Sequence, residues 1–306
     1  MAPTILVVGA TGNTGKNVIH NLPKLIQSSS NFRILGLTRS LNNPVSQELA
    51  AIPQVEMQEK DWTTIDANWL KEQEVVRVFI APHNLPHQFL DESAFYVAAL
   101  EAGIEYLVKI STSEHFIGPA SPVFYGRAHW AIEKMLSQPE YDSLKWTSLR
   151  PNVFTTAYLT TAVDWIKNYR KAGTKDHLKL VMGADTPVAL VDPDDVGTVA
   201  AVLLSLEDPS PHNRAMYVIN GPEDINGKKI VEAIEEISGA KVQDVEYKNT
   251  RIFSSFGKLY ASLYAATEIV WSGQFGLTAS PTSEEVIKLA RPETKLVDSL
   301  KKMLLE

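Results

Sequence analysis

Near the start of the chain the apolar run Ile5-Leu6-Val7-Val8 leads directly into Gly9-Ala10-Thr11-Gly12-Asn13-Thr14-Gly15, and then into a helical pattern. Few folds accept that order. Four consecutive apolar residues read as a buried strand, the kind found in parallel sheets covered on both faces. Three glycines spaced by threes let the chain turn sharply and allow close approach to the backbone. The helix that follows begins with free N–H groups and the positive end of its dipole, which together hold negative charge such as a dinucleotide pyrophosphate.

Strand and helix signals then alternate. Strand-like runs lie at 4–8, 32–38, 54–58, 75–80, 105–111 and 144–149. Helical patterns lie between them at about 14–27, 44–51, 63–72, 86–102 and 124–138, with Pro23 expected to kink or shorten the first. This rhythm predicts an α/β fold with a Rossmann-type, doubly wound parallel sheet. After Pro151 the pattern changes. A helical stretch at 153–172 precedes short strands near 178–182 and 187–191, and a helix at 193–206 starts at Pro193 with Asp192 as its cap. A strand at 215–219 is followed by Asn220-Gly221-Pro222 and by helices at 226–238, 252–271, 283–290 and 293–304. The expected organisation is a dinucleotide domain over 1–152, with elements returning from about 186–220, and a smaller, mostly helical substrate lobe over 153–306.

Composition narrows the partners. A net charge of −7 argues against nucleic acid or an anionic membrane as the main partner. The absence of cysteine removes disulfides, thiol nucleophiles and thiolate metal sites. No apolar stretch is long enough to span a bilayer, and a strand beginning at residue 4 leaves no room for a signal peptide. The expectation is a cytoplasmic monomer or homodimer acting on a small molecule.

In dinucleotide folds the end of the second strand meets the adenosine ribose, where a carboxylate favours NAD and a cation favours NADP. Here that position reads Leu37-Thr38-Arg39-Ser40. Arg39 can pair with a 2′-phosphate and Thr38 and Ser40 can donate to it, so NADP(H) is the expected cofactor. Other strand ends offer further contacts. Asp61 can meet adenine or cap the next helix. Ala81 and Pro82 follow the fourth strand, Ser111 and Thr112 the fifth, and Pro151, Asn152 and Phe154 the sixth. Ser111 can bond substrate or cap its strand.

The glycine spacing resembles the short-chain dehydrogenase superfamily, whose typical members carry Tyr-x-x-x-Lys on the helix after the fifth strand. The matching helix here reads Tyr125-Gly126-Arg127-Ala128-His129-Trp130-Ala131-Ile132-Glu133-Lys134-Met135-Leu136. Trp130 and Lys134 keep the spacing, but an indole cannot serve as the acid. The string His129-x-x-x-Glu133-Lys134 resembles the NmrA-like atypical short-chain dehydrogenases, including quinone-reductase-like members. Thr38-Arg39, Val108-Lys109-Ile110-Ser111, Leu149-Arg150-Pro151-Asn152-Val153-Phe154, Val191-Asp192-Pro193-Asp194-Asp195-Val196-Gly197 and Tyr217–Pro222 agree, so the resemblance covers roughly residues 3–240. It implies that His129 faces the nicotinamide side of the site, as a hydrogen-bonding imidazole or a proton-donating imidazolium. Glu133 would orient it or raise its pKa. Lys134 is a candidate for cofactor contact and Tyr125 a reserve acid.

His83 and His115 are placed at the pocket mouth. Phe253, Phe256 and Tyr260 recur at helical spacing. With Tyr158, Trp165 and Phe154 they can wall a bulky, flat substrate, or simply pack a core. His83, His87 and Asp91 have a superficial metal-ligand spacing, but a helix starting at Pro86 would separate them, and no metal is expected. Losing the tyrosine acid favours hydride transfer to C=N, conjugated C=C or quinone over simple ketones, because iminium ions need no proton and conjugated acceptors spread their charge. The family resemblance implies an alkaloid-type substrate, with a ring closure steered by the same pocket. The alternatives are a quinone reductase and a non-catalytic NADP(H) sensor.

Overall fold

The computed structural model describes residues 2–26, 32–173 and 177–305, the side chain of Lys258 excepted. Its strands are β1 (Thr4–Val8), β2 (Arg33–Thr38), β3 (Val55–Glu59), β4 (Val75–Ile80), β5 (Tyr106–Ile110), β6 (Lys145–Pro151), β7 (Leu178–Lys179), β8 (Ala215–Ile219) and β9 (Val245–Glu246). Seven of them form one sheet in the order β3-β2-β1-β4-β5-β6-β8, every neighbouring pair parallel, while β7 and β9 pair separately. The first-half helices are α1 (Asn13–Leu25), α2 (Pro44–Ala50), α3 (Ala67–Glu72), α4 (Gln88–Ala102) and α5 (Phe124–Leu136). The second half adds α6 (Thr155–Tyr158), α7 (Thr160–Ala172), α8 (Pro193–Ser205), α9 (Gly227–Ser238), α10 (Tyr260–Val270), α11 (Glu284–Ala290) and α12 (Leu296–Leu305).

Alternate residues of each strand serve opposite faces of the sheet. Ile5 and Val7 of β1 pack with Ile19 of α1 and Val199 of α8. Leu6 and Val8 pack with Phe95 of α4, Ile132 of α5 and Trp146 of β6. A third cluster, including Trp165, Ile166, Leu180, Ile234 and Leu300, forms the core of the helical second half. Lys302 of α12 binds Asp192 at 2.8 Å and Asp194 at 2.5 Å, and Ser299 donates to Asp192 at 2.8 Å. Asp192 also caps α8 by accepting from the Asp194 N–H at 2.9 Å.

The sequence pattern and the structure part where the chain is irregular. The expected strand at 187–191 is buried from Val188 onward but makes only bridges. The Val188 N–H goes to Ile225, Ala189 to Phe275 and Val191 to Val153, so its hydrogen bonds are shared among three segments. The helix expected at 153–172 is interrupted at Leu159. The helix expected at 252–271 is a 3-10 turn over Arg251–Leu259 followed by α10, broken at Gly257, whose φ of 53° lies outside the helical range. The stretch expected at 63–72 divides into a 3-10 turn at Trp62–Thr64 and α3. Pro23 lies within α1, which ends two residues later at Leu25; residue 27 of its expected range lies outside the described residues.

At Gly15 a Cβ would sit 2.1 Å from the Gly9 carbonyl oxygen, against backbone that cannot yield like a side chain. Gly15→Ala is therefore expected to destabilise the protein by about 3 kcal/mol or to prevent folding. Urea unfolding checks this; an unchanged midpoint would show that α1 can move off β1.

Candidate active site

In a parallel sheet all strands end on one edge, and the crevice opens where the strand order reverses. Here that point lies between β1 and β4. A cleft of about 390 Å³ opens there. Gly9, Gly12, Asn13, Thr14, Gly15, Ala81, Pro82, Ser111, Thr112, His129, Pro151, Asn152 and Phe154 line it, with Tyr125, Tyr158 and Phe253 among its aromatic walls. A second cleft of about 760 Å³ lies beyond the ends of β2 and β3, lined by Thr38, Arg39, Lys60, Asp61, Trp62 and His83 among others. Pro82 borders the first cleft and His83 the second, so the two adjoin at the end of β4.

The first cleft is built for an anion at the glycine turn. Gly12 is the N-cap of α1, no side chain caps it, and the first turn holds no acidic residue. The helix dipole and the N–H groups of that turn are left for a ligand. The second cleft supplies the exposed Arg39 and the half-buried Lys60. Together these residues fit a dinucleotide whose pyrophosphate lies on α1 and whose adenosine carries a 2′-phosphate.

His129 lies in the floor of the first cleft and is 1% exposed. Its Nδ1 lies 3.2 Å from Lys109 Nζ, and the Gln88 amide nitrogen lies 3.3 Å from both ring nitrogens. Burial first, then the charges of Lys109 and Arg150, push its pKa well below the ordinary imidazole value. The ring is therefore neutral at physiological pH. Glu133, one turn along α5, does not reach it. Its carboxylate accepts from Ser111 at 2.9 Å, Ser148 at 2.6 Å and Arg150 at 2.6 Å. The close seat of α5 fixes these positions: a Cβ on Gly126 would lie 2.0 Å from the Phe116 carbonyl oxygen. Burial pushes the Tyr125 phenol up, making it a weaker acid.

Residues 1–290 match the NmrA-like family. The chain belongs to that family. A curated relative is the (4-alkanoyl-5-oxo-2,5-dihydrofuran-3-yl)methyl phosphate reductase of Streptomyces griseus, 28% identical over 149 residues, 49% of this chain and 48% of that protein. The match thus spans about half the length of that relative. Two similar solved structures are the NADPH-dependent quinone oxidoreductase of Escherichia coli bound to NADPH and the triphenylmethane reductase of Citrobacter sp. bound to NADP(H). The first has a TM-score of 0.72 at 22% identity and the second 0.71 at 20%, each covering 98% of this chain and 99% of the other. A UDP-glucuronic acid 4-epimerase from Bacillus cereus also matches, with a TM-score of 0.69, 15% identity and coverage of 97% and 96%. These likenesses establish the Rossmann-type fold. The family match reaches residue 290, further than the 3–240 over which its motifs are legible.

Several expected site residues of this NmrA-like chain lie elsewhere or are otherwise engaged. Glu133 does not reach His129, because Arg150, Ser111 and Ser148 hold its oxygens, and burial beside two cations disfavours an imidazolium at position 129. Lys134 is exposed and lines neither cleft. Trp165 is buried and stacked on Tyr169, with ring centroids 5.6 Å apart, inside the helical core. Phe256 is exposed, and Tyr260 stacks on Tyr264 with its hydroxyl 3.3 Å from Thr250; neither lines the first cleft. His115 packs on Phe275 and lines neither cleft. Thr11 and Ser40 flank the clefts without lining them. Asn152 ties β6 to the 220 loop and the Phe275 carbonyl through its amide nitrogen. Asp61 caps its 3-10 turn by accepting from the Thr63 N–H.

The histidine cluster corrects a different expectation. Helix α4 begins at Gln88, after both histidines, so no helix separates them. Both reach Asp91, His83 at 2.9 Å and His87 at 3.4 Å. The Leu85 N–H donates to His83 Nδ1, so the His83 proton lies on Nε2 and points at Asp91. His83, His87 and Asp91 thus each bring a ligand atom within 4.8 Å of the others.

Lys109, Glu92, Gln88, Arg150 and Ser148 were not identified as site residues from the sequence. The signal was present for Lys109: a cation between Val108 and Ile110 in a buried strand needs a partner. Its partner, Glu92, sits four residues from Tyr96 on the buried side of α4.

Burial alone would raise Glu133, but Arg150, Lys109 and Ser148 outweigh it and hold its pKa below the ordinary 4.5. The stability this adds is complete above that value and is lost as pH falls through the lowered one. Glu133→Gln should destabilise the protein by about 3 kcal/mol at neutral pH, because Arg150 loses its partner, and should flatten the acid limb of stability. Denaturant midpoints across the acid range check both expectations.

Proposed function

We propose that this chain is an NADPH-dependent reductase of a bulky, flat, conjugated electrophile without an anionic group. The class includes imines and iminium ions of the alkaloid type, conjugated C=C bonds and quinones. One observation carries the substrate class. Among the described residues no Asp, Glu, Lys or Arg lines the first cleft, and its titratable groups are a neutral imidazole and phenols made weaker acids by burial. A substrate there meets aromatic walls and hydrogen-bond donors, but no strong acid and no counter-charge. The curated relative is named for a phosphate ester, and a phosphate would find no cation in this lining.

A bound nicotinamide would supply hydride to an electrophilic carbon. The residues do the rest. The α1 N-terminus and Arg39 bind phosphate at the two ends of the adenosine half, favouring NADPH over NADH. Phe116, Tyr125, Tyr158 and Phe253 exclude water and hold the flat substrate. His129 offers an N–H to a substrate oxygen or nitrogen, and Ser111, already committed to Glu133, helps fix the α5–β5 wall.

The test follows NADPH absorbance with quinones, enones and cyclic imines. Tight NADPH binding with no turnover of any of them would favour the sensor alternative. Arg39→Ala should weaken NADPH binding about ten- to hundred-fold while leaving NADH nearly unchanged. Fluorescence titration checks this, and equal loss for both nucleotides would remove Arg39 from phosphate recognition.

A further inference from the structure

A closed polar network lies behind His129, between β5, α4 and α5. Lys109 and Glu92 are both fully buried. Lys109 Nζ has three acceptors: Glu92 Oε1, the Ile110 carbonyl and His129 Nδ1, each at 3.2 Å. An ammonium has three donors and no lone pair, so this set uses it completely. Glu92 also accepts from the Tyr96 hydroxyl at 2.5 Å and from the Gln88 amide at 3.0 Å. Of these residues His129 alone lines the cleft. An imidazole that accepts at Nδ1 carries its proton on Nε2. The ring therefore has an ammonium beside Nδ1 and a proton on Nε2, with the Gln88 side-chain amide 3.3 Å from that second nitrogen.

Stability alone does not explain the arrangement. Well-packed apolar side chains usually serve a core as well as a buried ion pair or better. Here the pair is set against the imidazole of the cleft floor, the position where charge separation can act on a reaction.

We propose that Lys109 is the proton source for reduction of conjugated carbonyl substrates, acting through His129; the relay rests on the reductase function proposed above. When hydride from NADPH adds to one end of an enone or quinone, negative charge collects on the oxygen at the other end. His129 gives its Nε2 proton to that oxygen, and its Nδ1 takes a proton from Lys109. The Nε2–H and Nζ–H bonds break, the O–H and Nδ1–H bonds form, and Lys109 becomes a neutral amine beside Glu92. The two electrons come from NADPH, which leaves as NADP⁺. Water entering after product release returns a proton to the ring, which passes its Nδ1 proton back to Lys109. An iminium ion accepts hydride and needs no proton, so it bypasses the relay. Lys109 is thus a positioning residue for His129 and the reservoir behind it.

Two measurements on the wild-type protein test this. Nitrogen-15 NMR of the NADP⁺ complex, with His129 assigned by comparison with His129→Gln, should find a neutral ring protonated on Nε2 from about pH 5.5 to 8. An imidazolium or an Nδ1–H tautomer overturns the relay. Single-turnover NADPH oxidation is then followed with menadione and with N-methyl-dihydroisoquinolinium, in H₂O and D₂O. The solvent isotope effect should be about two-fold or more for menadione and about one for the iminium. Equal effects on both overturn the relay. The double variant E92Q/K109M, which removes both buried charges together, should slow menadione reduction at least about ten-fold more than iminium reduction. Equal slowing overturns the relay alone. A wild type that binds NADPH but reduces neither probe overturns the reductase function and the relay with it. The wild-type measurements decide the matter even where the double variant does not fold.

Discussion

Helix α1 lies so close to β1 that a side chain at position 15 would collide with the Gly9 carbonyl. This approach sets the height and direction of the helix where the sheet reverses its winding. The uncapped start of α1 then faces the ends of β1 and β4, and α8 packs across α1 through Thr198, which bonds both Asn17 and Asn21. The helical second half is anchored by that contact and by β8, which adds to the sheet beside β6. The aromatic walls of the cleft consequently stand over the glycine turn, although they come from segments more than a hundred residues later.

Electrostatics divides the interior behind the cleft. Two buried carboxylates sit on neighbouring helices, Glu92 on α4 and Glu133 on α5, and each holds a different cation. Lys109 goes to Glu92 and Arg150 to Glu133. The imidazole between them is buried, feels both cations and has no carboxylate of its own, and burial first and the cations second hold its pKa well below the ordinary value. Had Glu133 turned toward His129, its charge would favour an imidazolium; the neutral ring instead has Lys109 beside its Nδ1. Four hydrogen bonds, from Ser111, Ser148 and Arg150, hold the carboxylate away.

Local rules made the sheet legible because each strand is an apolar run bounded by turns. The segments 4–8, 75–80 and 215–219 coincide with β1, β4 and β8. The glycine turn, Arg39 and Asp61 could be placed because they follow strands directly, and strand ends share one edge. The floor of the cleft was less legible. The i, i+4 spacing of His129 and Glu133 suggested a pair, but Arg150 and Ser148 on β6 compete for the carboxylate from across the sheet. The cation at Lys109 in a buried strand signals a partner but does not name it, because Glu92 comes from α4. The aromatic residues at 253, 256 and 260 share helical spacing, yet Gly257 breaks the helix before Tyr260, and Phe253 lines the cleft while Phe256 is exposed.

The tie between α12 and the start of α8 has a consequence for the order of synthesis. Asp192 is 1% exposed, and burial by itself would raise its pKa; Lys302 and Ser299, together with the Asp194 N–H, reverse that shift. Lys302 follows Asp192 by 110 residues. While the ribosome is still making that stretch, the nascent α8 has its cap but lacks the cation that neutralises it. The α1–α8 layer can associate early, but its carboxylate must stay hydrated until α12 emerges. The contact that neutralises this cap is thereby a long-range one, made only once the last helix is in place.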